Sequence, residues 1–378
     1  MAGLEEPETE HVRKVARTKK PLPKRIAGKL LRLLASRPQG RPKLKPGDPG
    51  RILLIRYDRL GDMIITTPLI EILHNIAPQA EIDVLASWRN ASLIEHDPRI
   101  HQVLRWDGSP FKRIRTLLDC RKRRYDLTLQ LILWRTTLPG LLAGRLTPHG
   151  RVVSRDDPNN RDLFDHTYKV NSTTHYAEQV YGFLGAAFDF DDEVPSMPAY
   201  SIHTPEKIQK RASKRLIDAG LSPEGYIMIN LSAGEKRREL TNEQNIVLVQ
   251  ELLKIAEERS LKIVFTGGPN EYARAESLVK RLHSERLHLF FSSLPEVAVA
   301  ISKARLVITP DTGTNHLASA LGRPTVVFFL GDGRPVGWGP RGVPHRIVQA
   351  SFGNDTSSIE IEELINATKA LLEEVGIS

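Results

Sequence analysis

Residues 307–325 of the chain read VITPDTGTNHLASALGRPT, and this stretch decides the fold class. A short apolar strand ends, a polar turn containing Gly313 follows, and a helix rich in small residues begins near residue 315. In a parallel α/β sheet, such a turn presents backbone N–H groups and the positive end of the helix dipole to an anion. Asp311 and His316 flank the same point. The stretch therefore predicts a βα unit with an anion-binding turn beyond its strand.

Strands and helices alternate on both sides of this unit. Short apolar runs predict strands at 51–56, 81–86, 126–132, 226–231, 262–266, 306–309 and 325–329. Helical patterns lie between them, at about 65–76, 111–124, 242–259, 272–282, 315–321 and 359–375. Strands separated by helices of this length imply right-handed crossovers and parallel sheets. The fold class predicted is α/β, with two Rossmann-like doubly wound domains facing a central cleft.

The length of 378 residues fits two domains. An acidic stretch that contains two prolines, DDEVPSMP, separates the two runs of α/β alternation and is predicted to be the linker. The predicted divisions are a basic leader at 1–50, an acceptor-binding domain at 51–190, a linker at 191–205, a nucleotide-sugar-binding domain at 206–358 and a C-terminal helix at 359–378.

Charge is concentrated at the start of the chain. Residues 1–48 hold 13 Lys and Arg against five Asp and Glu, and so carry +8 of the formal net charge of +9. A protein built to bind duplex DNA would spread its positive charge over the folded body, so we expect no nucleic-acid partner. Within this segment Ile26, Leu30, Leu33 and Leu34 share one helical face among basic residues, which favours an anionic membrane surface as partner. The alternative is a disordered, solvated leader.

Cysteine usage and hydropathy indicate the compartment. The single Cys120 excludes an internal disulfide framework and a cysteine-based zinc site. No apolar run approaches the roughly 20 residues that span a bilayer, and the first residues lack the apolar core of a signal peptide. We expect a cytoplasmic protein, peripheral on the inner face of the cytoplasmic membrane if the basic segment binds lipid.

The turn at 59–68, RLGDMIITTP, follows the first predicted strand. A carboxylate at this position, Asp62, can accept a proton from a hydroxyl group held against it. Asp is also a preferred residue at helix N-caps, so Asp62 has a purely structural alternative role.

Two further turns follow strands of the second half. The turn LSAGEKRREL at 231–240 contains Lys236 and Arg238, either of which can pair with a diphosphate, although a solvated loop is the alternative. The turn TGGPNE at 266–271 brings Gly267, Gly268 and Glu271 to the same edge of the sheet, where they could line one pocket.

Asp311-Thr312-Gly313 also matches the sequence of an aspartic-protease turn. Such an enzyme needs two of these turns on an all-β scaffold, whereas this chain has one within an α/β pattern. The protease function is therefore excluded.

Taken together, the motifs resemble the ADP-heptose:lipopolysaccharide heptosyltransferase family. The resemblance runs from about Arg51 to about Gln349. It is carried by the Gly-Asp turn at Asp62, the Gly-Gly-Pro turn at 267–269, the pattern Asp-Thr-Gly-x-x-His-x-Ala-x-Ala-x-Gly-x-Pro from Asp311, Phe328-Phe329-Leu330-Gly331 and Trp338-Gly339-Pro340.

The resemblance implies a GT-B glycosyltransferase that inverts the anomeric centre and needs neither a metal nor another cofactor. The acceptor, a glycan or glycolipid, would bind the first domain, and the nucleotide-sugar donor would bind the second. By the resemblance Asp62 is the catalytic base, with Arg59 and Thr66 as acceptor contacts. The donor contacts it implies are Lys236 or Arg238 at the diphosphate, with Gly267, Gly268, Glu271, Asp311, Thr312, Gly313 and His316.

The chain departs from the family pattern at three places. Leu240-Thr241 stands where the basic loop commonly continues into Trp-Pro, Leu330 stands where a smaller residue is frequent, and Asp332-Gly333 replaces Pro-Thr or Ser-Thr. These differences bear on the donor sugar more than on the type of reaction.

Three other functions fit part of the pattern. An NAD-dependent oxidoreductase would need a G-x-G-x-x-G turn directly after a strand, and no predicted strand of the chain is followed by one. A non-catalytic protein that binds nucleotide-sugars or glycans would not need Asp62 for its function. An epimerase with a GT-B-like fold would release a free sugar nucleotide without an acceptor.

Overall fold

A computed structural model of the protein describes residues 36–38, 40–134, 136–171, 173–331, 335–351 and 355–376. The amphipathic face predicted at Ile26, Leu30, Leu33 and Leu34 lies outside the described residues, as do Asp332 and Gly333.

The first half of the described chain forms one parallel sheet of six strands. They are β1 Arg51–Ile55, β2 Glu81–Ala86, β3 Gln102–Arg105, β4 Leu127–Gln130, β5 Arg151–Arg155 and β6 His166–Tyr168. Their order is β3-β2-β1-β4-β5-β6. Four of the five residues of β1 are fully buried, because helices cover both faces of a parallel sheet. Ile52 pairs with Ile82 on one side and with Leu127 on the other.

The second half repeats this topology within the part of the chain that the structure describes. Its six strands are β7 Tyr226–Asn230, β8 Lys262–Thr266, β9 Leu287–Leu289, β10 Leu306–Pro310, β11 Thr325–Phe329 and β12 His345–Gln349. The order is β12-β11-β10-β7-β8-β9, with parallel neighbours throughout. Counted from its own first strand, this is the order of the first sheet. The strand order therefore reverses between β1 and β4, and again between β7 and β10, and ligands of doubly wound folds bind at such points.

Helices cover both faces of each sheet. In the first half they are Leu60–Ile64, Thr67–Ile76, Ala91–Ile94, Pro110–Lys122, Thr137–Leu146, Tyr176–Tyr181 and Phe183–Ala187. In the second half they are Glu206–Asp218, Asn242–Glu258, Tyr272–Leu282, Leu294–Ser302, Gly313–Ala320, Pro335–Trp338 and Ile361–Glu374. The last of these packs against Asn242–Glu258 and β12, and so completes the layer on one face of the second sheet. Among the described residues, no helix has both the length and the apolar character needed to span a bilayer.

The structure confirms the α/β fold class but differs from the sequence-based prediction in three ways. Seven helices were not predicted, among them Thr137–Leu146, Glu206–Asp218 and Leu294–Ser302. The helix predicted at 65–76 is divided into Leu60–Ile64 and Thr67–Ile76. Pro68 explains the division, because proline has no N–H for a continuous helix and favours the first turn of a new one. Five short strands were not predicted: β3, β5, β6, β9 and β12.

One apolar cluster spans both halves, and each half has a further cluster of its own. Buried residues of the first sheet, such as Ile52 and Leu93, belong to the same cluster as Val297, Ala300 and Leu317 of the second half. The helix Leu60–Ile64 packs directly against the helix Gly313–Ala320. The first turns after β1 and β10 therefore meet across the cleft.

The end of the predicted basic leader is fixed on the first half. Arg37 Nε donates to Asp165 Oδ2 at 2.6 Å, and Arg41 Nη1 lies 3.2 Å from Asp165 Oδ1. The carboxylate of Asp165 is fully buried, so both arginines neutralise a charge that water does not reach. Leu44 forms a parallel bridge with Phe188. Arg37, Arg41 and Leu44 are thus part of the folded domain rather than of a solvated leader.

Candidate functional site

The site lies where the carboxyl ends of β1, β7, β8 and β10 approach one another. Asp62 follows β1, Arg238 follows β7, Gly267 follows β8 and Asp311 follows β10. Each of the four turns predicted from the sequence therefore lies at the cleft edge of its sheet. Within each sheet the topology produces this arrangement, since parallel strands end at one edge.

Asp62 is the third residue of the helix Leu60–Ile64 and is 4% exposed. The N-cap of that helix is Arg59, which makes no side-chain capping hydrogen bond. The alternative role of Asp62 as N-cap is therefore wrong. Its carboxylate lies in the first turn, where the helix dipole favours negative charge.

Arg56 holds the turn that carries Asp62. Its side chain is fully buried, and Nε donates to the backbone carbonyl of Asp62 at 2.9 Å. Nη2 lies 3.4 Å from Asp62 Oδ1, and Nη1 donates to Asp58 Oδ2 at 3.4 Å and to the carbonyl of Leu131. One buried guanidinium therefore links two carboxylates to the end of β4, next to β1.

Burial raises the pKa of Asp62 above its ordinary value, although the charges of Arg56 and Arg59 act in the opposite direction. Burial also raises the pKa of Asp58 to about 7, opposed by Arg56 and reinforced by the charge of Asp62. A carboxylate with a raised pKa is a stronger base than one in water, which suits proton abstraction. The Oδ1 atom of Asp58 is buried without a hydrogen-bond partner among the described residues.

The two basic candidates in the turn at 231–240 lie in different environments. Arg238 is buried, and its Nη1 lies 3.3 Å from Asp311 Oδ2 and donates to the Asp311 carbonyl at 3.4 Å. Its Nη2 donates to Glu235 Oε1 at 2.9 Å. Lys236, by contrast, is exposed to solvent. The structure therefore brings Arg238, and not Lys236, against the turn that follows β10.

The turn after β10 is held by a hydroxyl network. Thr312 is the N-cap of the helix Gly313–Ala320 and accepts a hydrogen bond from the Thr314 amide at 3.3 Å. Asn230, the last residue of β7, donates to the hydroxyls of Thr309 and Thr312 at 3.0 and 3.2 Å. This network aligns the amides of the first helical turn with the cleft, where their N–H groups could donate hydrogen bonds to an anion.

The side chains of His316 and Thr66 are less accessible to a ligand than the sequence suggested. His316 is 2% exposed, and its ring packs near His175, Tyr200 and Trp338. Burial, reinforced by His175, lowers the pKa of His316 to about 3, so its ring is neutral. Thr66 is fully buried and donates to the carbonyl of Asp62 at 2.8 Å. Both side chains support the turns that meet in the cleft, and their predicted ligand contacts stay predictions.

The turn after β8 is compact. An added Cβ on Gly267 would lie 3.1 Å from Glu271 Cβ, and one on Gly268 would lie 2.9 Å from Glu271 Oε2. Glu271 therefore closes over the two glycines, and the three residues lie together at the cleft edge as predicted from the sequence. Their contact with a donor stays a prediction.

Comparison with known proteins identifies the family. The sequence profile described as glycosyltransferase family 9 (heptosyltransferase) matches residues 162–363. The chain belongs to glycosyltransferase family 9. It is 26% identical over 344 residues to a putative glycosyltransferase of Haemophilus influenzae, covering 85% of this chain and 95% of that protein. It is 23% identical to lipopolysaccharide heptosyltransferase 3 of Escherichia coli K12, and the match covers 83% of this chain and 96% of that protein.

Solved structures show the same fold. A family 9 glycosyl transferase from Veillonella parvula superposes with a TM-score of 0.74 at 20% identity, covering 88% of this chain and 99% of that one. The Escherichia coli heptosyltransferase WaaC with ADP superposes with a TM-score of 0.66 at 19% identity, covering 86% and 100%. The fold is thus that of the GT-B heptosyltransferases. The family resemblance, the GT-B fold and the glycosyltransferase activity expected from the sequence are confirmed.

Several residues at the site of this family 9 enzyme were not predicted from the sequence. Arg56 was assigned to the first strand, although an arginine directly after a buried apolar run is a signal in itself. Asp58 lies four residues before Asp62 and carries a raised pKa, yet nothing in the spacing marked it as buried. Glu235, which lies 3.9 Å from Arg59 Nη2 across the cleft, was also missed.

A second contact across the cleft involves aromatic and polar residues. The rings of Tyr176 and Trp338 stack with centroids 4.2 Å apart, and His175 Nε2 lies 3.1 Å from the Gly339 carbonyl. Arg341 donates to Glu178 Oε1 at 2.8 Å. These contacts join the start of the helix Tyr176–Tyr181 to the second half. The motif Trp338-Gly339-Pro340 thus serves the contact between the two halves of the enzyme.

Proposed function

We propose that this glycosyltransferase moves a heptose from an ADP-linked donor to a lipopolysaccharide-core-like or related glycan acceptor, with inversion at the anomeric carbon. One observation carries the proposal: the buried carboxylate of Asp62 lies at the cleft end of β1, on the helix that packs against the donor-side helix Gly313–Ala320. Support for the sugar and the nucleotide comes from the family description and from the WaaC structure with ADP.

The reaction would be a single displacement. An acceptor hydroxyl held against Asp62 attacks the anomeric carbon on the face opposite the diphosphate. The new C–O bond forms as the bond from carbon to the phosphate oxygen breaks, and the hydroxyl proton passes to Asp62. General base catalysis of this kind typically contributes ~10²–10⁴-fold to the rate. The raised pKa of Asp62 supports this role.

The diphosphate would leave toward Arg238 and the first turn of the helix Gly313–Ala320. Arg238 is paired with Glu235 and Asp311 in the described structure. A bound diphosphate would compete with these carboxylates for the same guanidinium, so donor binding would rearrange the Glu235 contact. Preorganised donors of this type stabilise charge that develops on a leaving group.

Metal independence is part of the proposal. In the described residues, no cluster of three or more His, Cys, Asp or Glu side chains is placed to hold a metal ion. Arg238, which pairs with Asp311, would neutralise the leaving group instead. Transfer measured in EDTA tests this point: we expect an unchanged rate, and a loss of activity restored by Mg²⁺ or Mn²⁺ would contradict it.

The experiment that tests the function is a panel of donors. ADP-, UDP- and GDP-linked sugars are each incubated with the pure protein and a soluble core-like acceptor, and release of the nucleoside diphosphate is measured. We expect release with ADP-heptose that depends on the acceptor. Donor binding without release would instead indicate a binding protein, and a free isomerised sugar nucleotide would indicate an epimerase.

A peripheral membrane location through the basic segment also belongs to the proposal. Because Arg37 and Arg41 hold Asp165, the segment to delete is 1–35 rather than 1–48. We expect the deletion to weaken binding to anionic vesicles at low salt, and to leave turnover on a soluble acceptor intact. Equal sedimentation of the full-length and shortened proteins with anionic vesicles would contradict it.

A further inference from the structure

The helix Pro110–Lys122 presents an apolar stripe to solvent. Phe111 is 85% exposed, Ile114 53% and Leu118 55%. The spacing of three and four residues places these side chains on one face. A helix of an α/β domain normally turns such a face toward the sheet. Here the only fully buried residue of the helix is Cys120.

Basic residues surround this stripe. Residues 110–124 contain seven Lys and Arg, namely Lys112, Arg113, Arg115, Arg121, Lys122, Arg123 and Arg124, against the single acidic Asp119. Most of them are exposed. Arg113 also lies over the ring of Trp106, 5.8 Å from its centroid. The surface therefore combines exposed apolar side chains with a strong positive charge.

The topology places the first turn of this helix at the cleft edge of the first half, and its basic C-terminal end at the opposite edge, where Arg123 contacts Glu81 at the start of β2. The helix follows the carboxyl end of β3, and Phe111 lies in its first turn. Trp88, which is 67% exposed, follows β2, and Trp134, which is 58% exposed, follows β4. These strands end at the same edge as β1, which leads to Asp62. Large exposed aromatic side chains thus gather on the side of the domain from which an acceptor would approach.

We propose that the helix Pro110–Lys122 docks on a bilayer with anionic headgroups, with Phe111, Ile114 and Leu118 entering the interface and the surrounding Lys and Arg contacting lipid phosphates. A convex helix with apolar and basic residues on neighbouring faces matches the boundary between acyl chains and headgroups. A protein partner would have to supply a complementary apolar groove and an acidic rim. This docking surface is separate from Arg37 and Pro42, which lie near β5 and β6 at the other side of the sheet.

The first experiment is sedimentation of the full chain with vesicles of phosphatidylglycerol or of phosphatidylcholine. One double variant carries Phe111→Ser and Leu118→Ser. The control double variant carries Ile217→Ser and Val247→Ser. The control residues are also exposed, at 69% and 47%, and Ile217 lies on the basic helix Glu206–Asp218. Both pairs are also made in the protein that lacks residues 1–35, which separates this surface from the basic segment.

We expect at least a roughly tenfold lower partition of the Phe111, Leu118 variant onto phosphatidylglycerol vesicles, since two apolar side chains are withdrawn from the interface. The control pair should bind like the wild type in both backgrounds, and thermal unfolding should show that both variants fold. Equal binding of the two pairs, or no binding of the wild type, would overturn the proposal.

A second measurement locates the contact. Phe111→Cys is labelled with an environment-sensitive fluorophore, and the native Cys120 is fully buried. We expect its emission to move to shorter wavelength when phosphatidylglycerol vesicles are added, and to return when salt screens the charges. An emission that stays at its solvent value while the protein sediments with the vesicles would contradict a docking surface at this helix.

Discussion

Gly61 lies so close to His316 that an added Cβ would come within 2.7 Å of the imidazole Cδ2 and 3.5 Å of the Gly313 Cα. The reverse contact is equally tight, since a Cβ on Gly313 would lie 2.9 Å from three atoms of Leu60. Two glycines therefore allow the helices that follow β1 and β10 to touch. This contact sets the distance between Asp62 and the turn that follows β10.

Gly61→Ala should disturb this contact. The ring of His316 is enclosed by other aromatic rings and has little room to move, so the methyl group should force the two helices apart. We expect about 1–3 kcal/mol lower free energy of unfolding, measured in denaturant, together with a lower kcat for transfer.

Gly185→Ala is the matched control, because an added Cβ there meets no atom within 4 Å. Adding His316→Ala to Gly61→Ala should restore part of the lost stability, since it removes the atoms that clash. Strictly additive losses in the double variant would show that the two residues do not constrain each other.

Arg238→Ala should weaken binding of the nucleoside diphosphate product far more than Lys236→Ala. Arg238 is buried against Asp311, whereas Lys236 is exposed. Loss of a charged hydrogen bond at a buried site costs roughly 1.5–3 kcal/mol, and this should appear as a higher dissociation constant by calorimetry. A larger loss in Lys236→Ala would mean that the diphosphate binds outside the Arg238–Asp311 contact.

The pH dependence of stability should report on His316. Its pKa is lowered from 6.5 to about 3, so between these values the unfolded chain binds a proton that the folded protein excludes. The contribution of this lowered pKa to the free energy of unfolding is complete above pH 6.5 and is lost as the pH falls toward 3. We expect this loss to reach up to about 1.4 kcal/mol per pH unit in the wild type.

His316→Gln should remove that contribution. The gap in unfolding free energy between wild type and variant should therefore shrink as the pH falls below 6.5, when both are measured in urea at each pH. Parallel curves for the two proteins would show that the imidazole takes up a proton in the folded state.

The sequence predicted the central strands and the location of the site for a physical reason. Strands such as β1 and β8 are continuous apolar runs, because both faces of a parallel sheet are buried, and such runs are visible in a single sequence. Edge strands such as β6 and β12 are only partly buried and mix polar with apolar residues, so they lack that signal. Asp62 and Asp311 were placed at one cleft because each follows a predicted strand.

Contacts between the halves could not be predicted in the same way. The approach of Gly61 to His316 depends on how two separate sheets pack, and no local pattern encodes it. The burial of Arg56 between Asp58 and Asp62 likewise arises from the ends of β1 and β4. Residue propensity and spacing describe each strand or turn separately. The approach of Gly61 to His316 and the burial of Arg56 each depend on how two such elements pack together.

The most direct test of the account is the Asp62→Asn variant, measured for donor binding and for transfer in parallel. The amide keeps the size of the carboxylate but cannot take a proton from the acceptor. We predict unchanged affinity for the ADP-linked donor, unchanged thermal unfolding, and transfer slower by ~10²–10⁴-fold. A variant that keeps more than about a tenth of the wild-type rate would contradict the assignment of Asp62 as the catalytic base.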